Sequence, residues 1–276
     1  MATISEMTFG VEFEVTFPVG TVQCGHYHQG TQVPELPQGW TAQHDGSLRC
    51  GPGRQTAEIV SPVLTGEDGI LQVLAVIDWL NRHEATVNRS CGFHVHVGFD
   101  GSNSATLGRL VALVAQHEQA LYASTGTKSR EQGCFCQSVQ RNQNFRQSQL
   151  DRTDRYHVLN VSNLFRGGKP TVEFRVFAGT LNPVKVTGHI ASCLGLVEKA
   201  LRTKRAAKWT PNEPVATSPV HRAGPGQTAL TRLFYGLGWI HGREKHVHGN
   251  LSGDGIPTIK AIKKALMKLA RKYDAE

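Results

Sequence analysis

A chain of 276 residues with 39% apolar side chains is long enough to bury its own core without disulfide staples, so its six cysteines read as reduced thiols. No apolar run approaches the ~20 residues that span a bilayer, and Met1-Ala2-Thr3-Ile4-Ser5-Glu6 lacks the basic and apolar blocks of a signal peptide; no membrane partner is expected, and a cytoplasmic protein is. The formal net charge of +8 is lopsided, because residues 199–276 hold 15 Lys/Arg against 5 Asp/Glu while residues 1–198 hold 15 against 17. An acidic partner, nucleic acid included, therefore fits the C-terminal quarter, although the segment lacks a recognition motif and a plain solvated surface explains its charge better.

In chain order, residues 7–17 alternate as a strand, and the Gly/Pro/His-rich stretch 18–39 reads as a connection or irregular hairpin. Trp40 to Leu48 and Ala57 to Val60 predict strands on either side of the turn Cys50-Gly51-Pro52-Gly53-Arg54. Residues 66–82 change to a helical period, with Ile70, Leu71, Val73, Leu74, Ile77 and Leu80 on the apolar face. A strand at 92–99 and a helix at 104–122 follow, the latter marked by Leu107, Leu110, Val111, Val114, His117 and Leu121. Residues 124–155 are rich in Gln, Arg, Ser and Asn and predict a long loop or lid. Two strands, 158–165 and 171–177, flank the turn Arg166-Gly167-Gly168-Lys169-Pro170. Asn182-Pro183 supplies an N-cap and a first-turn proline for a helix to about Arg202. Beyond the Pro/Gly-rich connection 211–226, helices are expected near 227–240 and 257–273, the last with one apolar and one basic face.

Three of these strands carry ionisable residues two apart. In Phe9-Gly10-Val11-Glu12-Phe13-Glu14-Val15, Cys91-Gly92-Phe93-His94-Val95-His96-Val97 and Val172-Glu173-Phe174-Arg175-Val176, the apolar residues take one face and the charged ones the other. If the strands share a sheet, Glu12, Glu14 and Glu173, with Glu58 of Glu58-Ile59-Val60-Ser61-Pro62, meet on one surface. Two like charges ~5 Å apart repel by roughly 3 kcal/mol at an effective dielectric of ~20, so such a patch calls for bound cations. Carboxylates suit Mg²⁺ or Mn²⁺, an imidazole can add a nitrogen ligand or meet a phosphate, and the Arg175 guanidinium can stabilise a phosphoryl group in flight.

These residues, with Asp45-Gly46-Ser47-Leu48 and Thr171-Val172-Glu173-Phe174-Arg175-Val176-Phe177-Ala178-Gly179-Thr180-Leu181, resemble the amidoligase family of ATP-dependent carboxylate-amine ligases, within the glutamine synthetase and γ-glutamylcysteine synthetase superfamily. The ordered elements span residues 7 to about 181. The resemblance implies an α+β fold: a curved antiparallel sheet, glutamine synthetase-like, whose concave face holds ATP and two or three divalent ions, with helices on the other face. It implies amide formation through an acyl phosphate, with Glu12, Glu14, Glu58, His94 and Glu173 as metal ligands and His96 as a nucleotide-phosphate contact. Arg175 becomes the phosphoryl-transfer arginine, so that Arg175, Glu173 and Glu12 form the catalytic group. Asp45 and Ser47 are candidate substrate contacts, although Asp-Gly-Ser equally suits a simple turn. Arg155 and Asn160, in Arg155-Tyr156-His157-Val158-Leu159-Asn160, are candidate phosphate or substrate contacts, or else a strand-end ion pair and a turn cap. A catalytic domain over 1–205 and a basic, mainly helical segment over 206–276 packed on it complete the expected organisation.

Other readings compete. Alternating glutamates usually mark a solvated strand face, and His-x-His also binds zinc or iron in cupins and metallohydrolases. An ATP-dependent guanidino-kinase-like phosphotransferase, a zinc hydrolase using His94 and His96, and a nucleic-acid-binding module are the alternatives in function. Cys134-Phe135-Cys136 lacks zinc-finger spacing, and Cys91 reads as a small buried residue. His246 and His248 lie in a polar loop sequence, where a phosphate contact would be their role. The carboxylate and amine are not named by the sequence; a peptide, a cell-wall fragment or another acidic polymer fits the basic segment, and the oligomeric state is open.

Overall fold

Alternation in the N-terminal strand is realised as the centre of an antiparallel sheet in a computed structural model, which describes residues 4–100, 103–139, 155–165, 170–204, 228–239 and 253–276. Eight strands pair: β1 (Thr8–Pro18), β2 (Thr31–Gln32), β3 (Thr41–Gln43), β4 (Arg54–Val60), β5 (Leu64–Thr65), β6 (Gly92–Gly98), β7 (Leu159–Asn160) and β8 (Thr171–Ala178). Their order is β2-β3-β4-β1-β6-β8-β7, with β5 beside β1, and the sheet does not close on itself. Phe9, Val11, Phe13, Val15 and Phe17 are all buried, and the core continues across strands through Phe13 on Phe93 (ring centroids 4.9 Å apart) and Phe93 on Phe177 (6.5 Å).

Helices cover the apolar side. They are α1 (Gly66–Arg82), α2 (Ser104–Ala123), the single turn α3 (Ser129–Gln132), α4 (Pro183–Arg202), α5 (Ala229–Gly236) and α6 (Ile259–Ala275). Capping follows the sequence: the Asn182 side chain accepts the Lys185 amide at 3.1 Å with Pro183 behind it, and Asn103, Thr228 and Thr258 cap α2, α5 and α6. The interior helix is α4, which meets β6 on one side and α2 and α6 on the others, so that residues from Val186 to Val197 are buried all round. Close packing there uses a glycine: a Cβ on Gly188 would come within 2.9 Å of Ile262. The basic face of α6 is the exposed one, while Ile262, Leu266, Leu269 and Tyr273 face inward.

Several expectations need correction. Strand structure over Trp40–Leu48 shrinks to Thr41–Gln43, because Asp45 accepts the Ser47 amide at 2.7 Å and turns the chain. The strand expected over 158–165 is only Leu159–Asn160; Asn160 accepts the amide and hydroxyl of Ser162 at 2.9 and 2.7 Å, and a 3-10 turn follows. Leu71, assigned to the apolar face of the first helix, is 41% exposed, and Val76 takes the buried position. The stretch 18–39 contributes the short β2, and 124–155 contains α3. Residues 140–154, most of the turn at 166–170, the connection 211–226, and His246 and His248 lie outside the described residues.

Candidate active site

Cross-strand register assembles the polar face row by row. Gln43 on β3 pairs with Glu58 on β4, and Glu58 pairs with Glu14 on β1. Glu12 pairs with His94 on β6, while His96 pairs with Glu173 on β8 and Glu173 with Asn160 on β7. Since directly opposed residues have Cβ atoms ~5 Å apart, six strands thus place one continuous polar band over the sheet. Glu14, Glu58, His94, Asn160 and Glu173 are each no more than 4% exposed, and Glu12 and His96 sit at the partly open edge.

His94 is the hub. Its Nδ1 lies 3.1 Å from Glu12 Oε2 and 3.5 Å from Glu173 Oε1, and its Nε2 lies 3.5 Å from Glu14 Oε1. His96 Nε2 approaches the other oxygen of Glu12 at 3.1 Å. Glu14 accepts the Gly92 amide, Gln43 Nε2 donates to Glu58 at 2.5 Å, and Asn160 Nδ2 donates to Glu173 at 2.8 Å. Gly92 is required here: a Cβ would stand 2.9 Å from His94 Nε2 and 3.1 Å from both Glu14 Oε2 and Arg130 Nη2.

The charges respond to this crowding in opposite directions. Burial and the neighbouring Glu12 charge push the Glu58 carboxyl up to about 9, against the hydrogen bond from Gln43. Burial acts the same way on Glu12, but the His96 charge and the His94 and His96 contacts outweigh it and hold that carboxyl well below the usual range. Burial disfavours a charged His96, yet Glu12 and Glu173 raise it to about 9. At Glu173 burial is outweighed by Arg175, then His96 and His94, so the carboxyl is lowered.

Two donor groups follow from the distances, Glu12/His94/Glu173 and Glu14/Glu58/His94, each with ligand atoms within 4.8 Å of one another. Each contains two carboxylates and one imidazole, an oxygen-rich set that fits Mg²⁺ or Mn²⁺ better than zinc. Burial first, then the Glu12 charge, drive the Glu58 carboxyl up to about 9, and a cation bound among these carboxylates would offset both, so the residues fit the ions the sequence implies.

Arg175 stands beside this band, within a β-bulge. Phe93 pairs with Phe177 and Val95 with Phe174, leaving Arg175 and Val176 together opposite His94. The displaced backbone is satisfied elsewhere: the Arg175 amide donates to the Val158 carbonyl at 2.9 Å, and Arg130 Nη2 donates to the Arg175 carbonyl at 2.6 Å. Arg175 Nη1 pairs with Glu173. Burial opposes its charge, but Glu173, then Glu12 and Glu14, raise its affinity for the proton.

The remaining sequence candidates fall into two kinds. Arg155 reaches Tyr27, donating to its hydroxyl at 2.9 Å, and lies over the rings of Tyr27 and Tyr156. Asn160 spends its donor on Glu173 and its acceptor on Ser162, so it orients a carboxylate and caps a turn. Asp45 is close enough for its charge to act on Glu58, but its side chain and Ser47 form the turn already described, outside both donor groups. Sequence reasoning missed Gln43, which lies in a strand without other signal, and Arg130, one of several arginines in a polar stretch. Buried to 7% exposure, Arg130 is distinguished only by its place under the bulge.

Comparison with known proteins agrees with the class of chemistry this site suggests. Residues 5–147 and 139–197 match the family described as "Putative amidoligase enzyme", and the chain belongs to that family. Among solved structures, 98% of the chain aligns with a bifunctional glutathione synthetase from Pasteurella multocida at 11% identity and a TM-score of 0.45, spanning 51% of that protein. It aligns over the same share with a structure titled "Apo GmaS without ligand" at 14% identity and a TM-score of 0.45, spanning 70% of that chain. The chain is thus about half the length of the glutathione synthetase it matches. No curated protein matches it by sequence. Among the described residues, no helix is long and apolar enough to cross a membrane.

Proposed function

We propose that the protein is an ATP-dependent amidoligase that uses Mg²⁺ or Mn²⁺ to join a carboxylate to an amine through an acyl phosphate, on a glutamine synthetase-like sheet with a concave site face. The observation that carries this reading is the convergence of four carboxylates and two imidazoles on one sheet face beside an arginine ion-paired to one of them. Glu12, His94 and Glu173 would hold one ion and Glu14, Glu58 and His94 a second, His94 serving whichever site its two nitrogens allow. The ions when bound supply charge neutralisation for phosphate oxygens.

The chain's own groups do the rest. Arg175 stabilises the γ-phosphoryl as a substrate carboxylate oxygen takes it from ATP and ADP leaves. Amine nitrogen then bonds to the acyl carbon, the C–O bond to phosphate breaks, and the amine proton passes to water. His96 contacts phosphate, and Asp45 with Ser47, at the Glu58 end of the band, faces the amine. Lys260, Lys264, Lys268 and Lys272 are exposed along α6, which favours a substrate of acidic character brought to a catalytic unit of residues 1–205.

A screen of carboxylate and amine pairs read by ATP consumption identifies the substrates. With ¹⁸O in the carboxylate, one label must appear in released phosphate. ATP turnover without label transfer rejects the acyl phosphate, and amide hydrolysis without ATP would establish the hydrolase reading instead.

A further inference from the structure

Arg175 is fixed by more than its pairing with Glu173. Its Cζ lies 5.6 Å from the centre of the Tyr156 ring, and the Phe135 carbonyl accepts from its Nε at 3.4 Å. Arg155 lies 5.3 Å from the same Tyr156 ring and 5.9 Å from that of Tyr27, whose hydroxyl it also reaches. Phe135 meets Tyr156 edge-on, with centroids 5.4 Å apart and planes at 84°. From the exposed end inward the groups therefore run Tyr27, Arg155, Tyr156, Arg175, Glu173.

Two features make this more than incidental contact. Guanidinium ions repel one another, so two of them converge on a single ring only where each is tied down separately: Arg175 by Glu173, Arg155 by the Tyr27 hydroxyl. Moreover, Arg175 sits in a β-bulge, so strand alternation no longer dictates where its side chain points. Groups outside the strand must help to aim it, and the Tyr156 ring, with its centre 5.6 Å from Cζ, is one that lies beside its guanidinium.

We propose that Tyr156 is a positioning residue for Arg175, and that Arg155 and Tyr27 complete a stack holding the Arg175 guanidinium where it meets the γ-phosphate of ATP. This rests on the proposed function. In it Arg155 acts through Tyr156 and not on the ligand.

The stack predicts a selective defect in sensing the γ-phosphate. Calorimetric titration of the full chain with ADP and with the non-hydrolysable analogue AMPPNP, both with Mn²⁺, measures that preference directly. Wild type is expected to favour AMPPNP by about tenfold, as a charge-assisted contact gives. Arg175→Gln abolishes the preference, Tyr156→Phe keeps it within about twofold, and Tyr156→Leu loses about fivefold of it with ADP affinity unchanged. Tyr156→Leu combined with Arg175→Gln behaves as Arg175→Gln alone, because both act on one contact. Tyr27 is 43% exposed, so Tyr27→Leu spares the core and should lower the preference about twofold even if Tyr156→Leu does not fold. A full preference in Tyr156→Leu, or in Tyr27→Leu where the former is insoluble, overturns the inference, and so does a parallel loss of ADP and AMPPNP binding. Wild type that binds neither nucleotide overturns the parent function itself, a result distinct from either.

Discussion

Ionisable side chains are buried on both sides of the sheet, but in opposite company. On the site face, Glu12, Glu14, Glu58, His94, His96, Glu173 and Arg175 are linked by close contacts, and among them Glu12 and Glu173 are held down while Glu58 and His96 are raised. In the helical layer, His117 on α2 and His189 on α4 are buried among core groups with only cations as charged neighbours; His189 stacks on Phe177 with centroids 4.1 Å apart. Desolvation dominates there, with nearby Lys199 and Arg232 adding to it at His117 and Lys185 at His189, and pushes each imidazole down to about 3. A single buried titratable group solves its problem by staying neutral. A crowded set cannot, and the surplus of carboxylates points to an external partner. Burial alone therefore does not mark function; mutual dependence does.

The strongest way to break this contrast is at Arg175. Arg175→Lys keeps a positive charge but loses the planar fork, and turnover is expected to fall by about 10³ while the melting temperature moves only a few degrees. Equal losses of activity and stability would make Arg175 an ordinary ion-pair residue. Next in size is the metal response. Because Glu14 and Glu58 face each other across β1 and β4, Glu14→Gln or Glu58→Gln should weaken Mn²⁺ binding by about 10- to 100-fold in calorimetry and remove most of the thermal stabilisation Mn²⁺ confers on wild type. His117→Gln should leave both unchanged. A third and smaller effect concerns Arg130: with Met there the bulged Arg175 carbonyl loses its partner, at a cost of about 1–3 kcal/mol in urea unfolding.

Why some of this was legible in the sequence and some not follows from the range of the interactions. Alternation at Glu12/Glu14 and His94/His96 is local, so the chain displays the face of each strand, and Asn182-Pro183 displays the start of α4. Register is not local, yet charge repulsion already required the Glu-bearing strands to share a solution. What stayed open was where competition between side chain and backbone would win: Asp45-Gly46-Ser47 and Asn160 each admitted a turn, and it is their side-chain oxygens capturing the Ser47 and Ser162 amides that end β3 and β7. The bulge left one trace, the adjacent apolar pair Val176-Phe177 in an otherwise alternating strand, both fully buried. Arg130 and Tyr27 left none, since contacts separated by 45 and 128 residues have no periodicity to reveal them.

The isolated histidines offer the finest test of the contrast. With a folded value near 3 and an unfolded value near 6.5, each imidazole binds fewer protons folded than unfolded at mildly acidic pH. Stability must then fall as pH drops below about 6.5, by about 1.4 kcal/mol per pH unit for each histidine once the unfolded form is protonated, until the folded group itself titrates. His189→Phe keeps the stack on Phe177 and removes one titrating group, so urea unfolding between pH 6 and 5 should lose about that much less stability than wild type. An unchanged slope would mean that His189 is protonated in the folded core, and the neutral, solitary half of the comparison would fail there.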